Sequence, residues 1–412
     1  MSLSIGINKN PWRLILATEA FSSLTNQFLQ ILLPWYVLAS TDSILWAGVV
    51  GFCSLMPNIF SALFGGPVID KIGRSKTMLL CEICQFVLLA SIPILINKGC
   101  APAYLIGLIV FLVSFFDAPG KMARTALVPS FSRYAGEPIS RTTGLLKAID
   151  GFMTVAGPIL GGIVIAACGL LGAWNISAVF CAVIVSLCLT VFSNRKARVT
   201  KPIVSYGGVW QHVCQDDLLC KVLIFTLPTF ILGESWELLI LPAYVYGHGF
   251  TSIYLGLLGG AFGLGAFLGA LWFSRISGQV RFSVLLSVNY MGYLLSILVL
   301  YFKLPSVIVL TATMLCGIPF GAFGAQVTGI VLMRTPAGLR SKTLALYTAC
   351  AYLLESVSVL GIAFLISCCG LQVTLKSFSI LFAALVIISF CLWKKEELFQ
   401  ESLAENKKAF TK

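Results

Sequence analysis

Seven carboxylates stand within stretches of this chain that are otherwise apolar: Glu19, Glu82, Asp117, Asp150, Glu234, Glu237 and Glu355. An ionised carboxylate in such surroundings is costly, so it must pair with a cation, face a water-filled cavity, or bind a proton. The seven are not equivalent. Glu82 lies near the start of its apolar run and Asp117 and Asp150 near the ends of theirs, with Lys121, Arg124 and Lys147 at hand to neutralise them. Asp117, Arg124 and Asp150 are therefore expected in a charge network at a gate. Glu19 lies roughly two helical turns into the first run. Glu234 and Glu237 are three apart on one helical face with Trp236 beside them, and Glu355 falls midway along a later run. These four are the expected carriers of protons or contacts to substrate. A buried acid satisfied by hydroxyls or backbone is the alternative for each. The Trp236 ring is expected to enclose a bulky ligand at that depth, whereas Trp35, Tyr36 and Tyr244 equally fit an interfacial aromatic belt.

Other chemistry lacks its parts. Cys81 with Cys84 and Cys368 with Cys369 are the only close cysteine pairs, and two His in the whole chain supply neither with the partners of a zinc site. Most of the thiols lie in apolar runs, where they pack as small hydrophobes. His212 precedes Asp216 and Asp217 at the spacing that some lipid acyltransferases use for a general base. A linker of about thirty residues cannot fold a catalytic domain around it. No enzyme, metal or cofactor is expected.

The elements that position these acids follow from composition. Of 412 residues, 58% are hydrophobic and 11% charged, and the mean hydropathy is +0.95. Soluble domains run at about 45–50% apolar and about 25% charged. A soluble enzyme and a disordered chain are excluded, and unbroken apolar runs exclude the alternating strands of a membrane barrel. An all-α integral membrane protein remains. Apolar runs of crossing length occur near 12–39, 44–66, 77–98, 102–125, 143–167 and 169–193, and again near 221–247, 252–276, 282–302, 305–334, 343–369 and 371–393. Twelve transmembrane helices in two six-helix bundles, 12–193 and 221–393, are predicted, with a linker at 194–220 and a tail at 394–412. The first run is too long for a signal core and is expected to be retained.

The formal charge of +12 is a matter of topology. With both termini in the cytoplasm, 25 of the 28 Lys and Arg fall in or beside cytoplasmic segments, as the positive-inside rule demands. They are scattered among short loops, so a lipid bilayer and not nucleic acid is the expected partner.

Between the second and third runs the chain reads Gly66-Pro-Val-Ile-Asp70-Lys71-Ile-Gly73-Arg74-Ser-Lys76. This resembles the signature of the major facilitator superfamily. The resemblance implies two bundles rocking about a central site, and a latch at Gly66, Asp70, Lys71, Gly73 and Arg74 that favours the outward-open state. The comparable loop of the second half, from Phe273 to Arg281, keeps the cations without an acid. In the fifth run Gly157-Pro158-Ile-Leu-Gly161-Gly162 is similar to the helix-packing motif of the drug–proton antiporters, with Met153 where a glycine is usual. Ser22 to Asn26, Pro34 to Leu38, Phe116 to Lys121 and Arg124 to Pro129 resemble the macrolide-efflux and enterobactin-exporter-like branch. Thr25-Asn26 stands where that branch often has Gly-Asp, so an acid is missing from the first run. The resemblance implies a monomer in the bacterial inner membrane that exports a small organic, amphipathic compound against inward protons. A metabolite importer or uniporter of the same fold is the alternative, and a lipid-modifying membrane enzyme a more distant one.

Overall fold

The computed structural model describes residues 11–192, 213, 215–276, 280–336 and 339–393. Every regular element among them is a helix, since a backbone crossing hydrocarbon must satisfy its own N–H and C=O groups. Helix α1 is Pro11–Thr41. Helix α2 comes in two pieces, Ile44–Leu55 and Pro57–Ile72, with Pro57 opening the second. Helix α3 is Arg74–Asn97 and α4 is Ala103–Ala135. The run Ile139–Phe192 is divided at Gly169, whose φ of 69° no interior helical residue adopts, into α5 (139–168) and α6 (170–192). Helix α7 combines Asp217–Ser235, a π-helical turn Trp236–Ile240 and Leu241–Gly247. Then follow α8 (Ser252–Ile276), α9 (Phe282–Tyr301), α10 (Ser306–Arg334), α11 (Arg340–Cys369) and α12 (Leu371–Trp393).

Among the described residues ten helices are long and apolar enough to cross a bilayer, and one of them, Ile139–Thr190, carries the two crossings α5 and α6. Helix α1 has the length, at 31 residues. Its apolarity is diluted by Glu19, Ser22, Ser23, Thr25, Asn26, Gln27 and Gln30, which a crossing can carry only where they face protein or water. The chain is a multi-pass, all-α membrane protein of twelve crossings. The expected linker at 194–220 lies mostly, and the tail at 394–412 wholly, outside the described residues.

Helix α4 runs ten residues past its expected end at 125, stopping where Gly136 takes a left-handed φ of 69°. Helix α5 likewise begins at Ile139 and not at 143. Asp117, Arg124 and Asp150 therefore lie within long helices, Arg124 buried and the two acids half-buried, whereas Lys121 and Lys147 are exposed. Cationic side chains are not evidence of a loop when an acid on a neighbouring helix receives them.

Within the first half α1 packs on α5–α6, α3 on α4 and α6, and α2 on α4; within the second, α8 packs on α10, α9 on α10 and α12, and α7 on α11. The main pairings across the halves are α5 with α8 and α2 with α11, and α1 and α2 also touch α7. The halves meet closely at the end of the molecule away from the Lys- and Arg-rich connections. There Gly48 and Gly51 of α2 meet Val359 and Ala363 of α11. Trp35 meets Tyr246 edge-on with centroids 5.8 Å apart. The molecule is closed at that end and open at the basic end.

Candidate functional site

The opening at the basic end leads into a cavity of 670 Å³ between the halves. Helix α1 supplies Asn26, Gln27 and Gln30, α2 supplies Ser54, Asn58 and Ser61, and α4 supplies Ser114, Asp117 and Lys121. From the second half come Glu234 and Leu238 of α7 and Thr348 and Tyr352 of α11. A second cavity of 540 Å³ between α5 and α8 shares Asn26, Gln27 and Lys121 with the first. The walls are apolar with a few convergent amides and acids, as in a site for a small organic molecule.

Three of the acids are fully accounted for. Arg124, 1% exposed, donates from Nε to Glu19 Oε2 at 2.5 Å, from one terminal nitrogen to Glu82 Oε1 at 2.8 Å and from the other to Ser22 Oγ at 2.8 Å. The planar guanidinium is the one side chain whose fixed fork can tie α1, α3 and α4 together in this way. Glu19, expected as a carrier of protons or a contact to substrate, is thus buried in the first half beside a permanent cation and does not line the cavity in this conformation. Asp150 accepts from Ser23 Oγ and lies 3.6 Å from Lys121 Nζ, on the wall of the second cavity.

Asp117 lies in the main cavity and accepts from Asn26 Nδ2 at 3.2 Å. The residue in place of an acid on α1 thus serves an acid on α4. It satisfies that carboxylate without adding a second charge.

The acids of the second half are different. Among the described residues none of Glu234, Glu237 and Glu355 has an ion-pair partner. Glu234 lies on the wall between the main cavity and a 90 Å³ chamber, and Glu355 of α11 lines the same chamber with Thr226, Thr229 and Tyr347. Glu237 lies apart, in a crevice at the closed interface with Gln30 and Pro158. Trp236 is 0% exposed, part of the core with its Nε1 unpartnered, and lines none of these cavities. The expected cavity aromatic is corrected: Trp174 of α6 and Tyr352 of α11 take that place. Its place in the helix is the reason: two residues after Glu234 it falls about 200° round the helix and faces away from the cavity. The π-helical turn Trp236–Ile240 re-aims the residues that follow, Glu237 among them. No sequence signal announced that turn.

The Gly157-Pro158 motif has two faces. Gly157 and Gly161 back onto Gln27, Phe28 and Ile31 of α1, while Pro158 and Gly162 meet Gly256 and Gly259 of α8. Ser252 Oγ donates to the Gly162 carbonyl at 3.0 Å across the same seam. The glycine ladder of α8 went unnoticed in the sequence, although its spacing of three, one and three from Gly256 to Gly263 marks one helical face.

At the gate motif, Gly66 and Asp70 lie in the last turns of α2 and Lys71 is exposed. The surroundings of the Gly66 and Asp70 side-chain positions lie outside the described residues. Gly73 turns the chain with φ 98°, and Arg74 donates to the Ala126 carbonyl of α4 at 3.0 Å. Gly73→Ala should cost about 1–2 kcal/mol, because a Cβ is strained at that φ. A lower unfolding midpoint in detergent checks this.

Two six-helix halves that share a central cavity open at one end define a class, the secondary transporters. The description of the Major Facilitator Superfamily matches residues 15–359, and the chain belongs to that family of transporters, whose members carry small molecules and are not enzymes. It is 23% identical over 401 residues to the multidrug efflux pump Tap of Mycolicibacterium fortuitum, covering 95% of this chain and 97% of that one. The pump Tap of Mycobacterium tuberculosis H37Rv is 21% identical over 376 residues, covering 89% and 90%. Among solved structures the nucleoside transporter NupG superposes with a TM-score of 0.78 at 11% identity, covering 94% of this chain and 100% of that one; at that identity the likeness is one of fold.

Proposed function

We propose that the protein exports small, amphipathic organic compounds by proton antiport with alternating access. The observation that carries this reading is Glu234. It is a carboxylate within a crossing, without a cation among the described residues, on the wall of the large cavity and beside Glu355. Such a group is stable when neutral and must choose between a proton and a positively charged ligand. That choice is what couples two fluxes. The relatives named as multidrug efflux pumps over nearly the whole chain support the direction.

The basic end is assigned to the cytoplasm by the distribution of Lys and Arg, which makes the structure inward-open and places both termini inside, in a bacterial inner membrane. Compound enters from the cytoplasm, and the halves rock. Protons reaching Glu234 and Glu355 from outside then release it. Asp117, Asp150 and Lys121, at the cavity wall on α4 and α5, rearrange as the inner end closes. The motif at Asp70 and Arg74 latches the closed inner end. Glu237, at the seam between the halves, is the second acid whose surroundings change in the cycle. The protein acts as a monomer, because each chain holds a whole cavity.

The test is substrate-blind. The protein is reconstituted in liposomes with a pH-sensitive dye in the lumen, a proton gradient is imposed, and pooled amphipathic compounds are screened for proton movement. Compound-dependent proton flux is expected, and is expected to disappear in Glu234→Gln. Compounds crossing without any proton movement would mark a uniporter and overturn the coupling.

A further inference from the structure

Beside the chamber that holds Glu234 and Glu355 lies a third space, which the aqueous route does not use. It is a groove of 170 Å³ between α7, α10 and α11, in the basic half of the molecule. Leu219, Leu223 and Leu227 form one wall, Leu346 and Cys350 a second, and Val331 the third. On its outer side Ile224 is 55% exposed and Cys350 is exposed, which in a membrane means contact with lipid tails. On its inner side stand Phe230 and Tyr347, ring centroids 5.6 Å apart and tilted by 58°. The same two side chains line the chamber. Groove, chamber and main cavity thus form a series, with the aromatic pair between the first two and Glu234 between the last two.

We propose that this series is a lateral entrance through which cationic amphipaths pass from the membrane leaflet at the basic end into the transport cavity. The inference rests on the transport reading above and names its substrate class. The chemistry of the two ends selects the occupant. Among the described residues the groove offers nothing polar beyond Thr343, the Cys350 thiol and the Tyr347 edge, so it receives a hydrocarbon tail. The chamber offers two carboxylates without a cation among the described residues, so it receives a positive head group. A neutral lipid fits the first end and not the second. The Phe230 and Tyr347 rings form the constriction, and a quaternary ammonium crossing them gains their π-faces on the way. Compounds already concentrated in the bilayer would reach Glu234 without first returning to water.

Occupancy is tested directly. The full-length protein, in liposomes without a proton gradient, is exposed to a hexadecyltrimethylammonium carrying a photoactivatable diazirine in its tail, and the adducts are mapped by mass spectrometry. Adducts are expected to concentrate at 219–227 and 346–350. They should fall at least fivefold in Cys350→Trp, and independently in Leu227→Trp, each of which fills the groove from a different helix. A hexadecyl maltoside with the same diazirine should label these positions at least fivefold less, and the Glu234→Gln/Glu355→Gln double variant should erase that preference. Adducts spread evenly over the lipid-facing helices, or equal labelling by the neutral analogue, would overturn the proposal. Because no gradient is present, failure of proton coupling leaves this result intact. Coupled transport in a protein whose groove stays unlabelled would assign entry to the aqueous cavity alone.

Discussion

Arg124→Ala will destabilise the first bundle by about 3–5 kcal/mol, the range for removing one partner of a buried ion pair. Three helices meet at this guanidinium: Glu19 and Ser22 on α1, Glu82 on α3, and Arg124 itself on α4. Without the cation two carboxylates at 6% and 2% exposure keep only each other's charge, and they must take up protons or open the bundle to water. Arg124→Lys should rescue little, because an ammonium cannot serve three acceptors in the guanidinium plane. The combined Glu19→Gln, Glu82→Gln and Arg124→Met variant removes the charges together and should recover most of the loss. Unfolding midpoints in detergent, followed by tryptophan fluorescence, read all three. An unchanged midpoint in Arg124→Ala would show that the network contributes nothing to stability.

Gly256→Val should disable transport while leaving the protein inserted. A side chain at Gly256 falls on the Pro158 carbonyl and on Gly162 of the opposite half, both backbone, which cannot rotate away. Overpacking of this kind costs about 1–3 kcal/mol. The cost falls on the conformation closed at the far end, in which α5 and α8 meet backbone to backbone along this ladder; the proposed rocking would part them in the other. Roughly a 5–150-fold shift away from that state follows. Spin labels at Lys98 and Thr251, exposed on opposite halves at the closed end, read it in a cysteine-free background. The distance distribution should lengthen and broaden in the variant. An unchanged distribution with normal transport would mean that the seam yields more easily than backbone contact allows.

The layout of the molecule was written in features that act one residue at a time. Charge scarcity and run length gave twelve crossings, and the break at Gly169 fell where a glycine separates two apolar runs. The gate and packing motifs gave the family. What the acids do could not be read so directly, because it depends on which helix faces which. Glu19 and Glu234 are alike in sequence, each an acid within a crossing-length apolar run. They differ in that Arg124 reaches one across two helices and no cation among the described residues reaches the other. Arg124 was legible as a charge-network residue, but its partners on α1 and α3 were not, since nothing local shows which helices α4 faces. Trp236 stands two residues after Glu234, on the opposite side of the helix, and the π-helical turn that starts there shifts the phase of Glu237 without any marker residue. The glycine face of α8 was legible and was passed over, its partners being on a helix some ninety residues away.

Uphill movement tests the central claim most directly. Wild-type protein and Glu234→Gln are reconstituted in liposomes with an acidic lumen, which stands for the outside of the cell. A fluorescent lipophilic cation identified in the proton-flux screen is then supplied at equal concentration on both sides, with the membrane potential clamped by potassium and valinomycin. The wild type is expected to accumulate the compound in the lumen about tenfold, near the 1.4 kcal/mol supplied by one proton crossing a one-unit pH gradient. Nigericin should release the compound, and Glu234→Gln should never exceed equality. Accumulation by Glu234→Gln equal to that of the wild type, or none by either with the compound still crossing, would contradict proton antiport through Glu234.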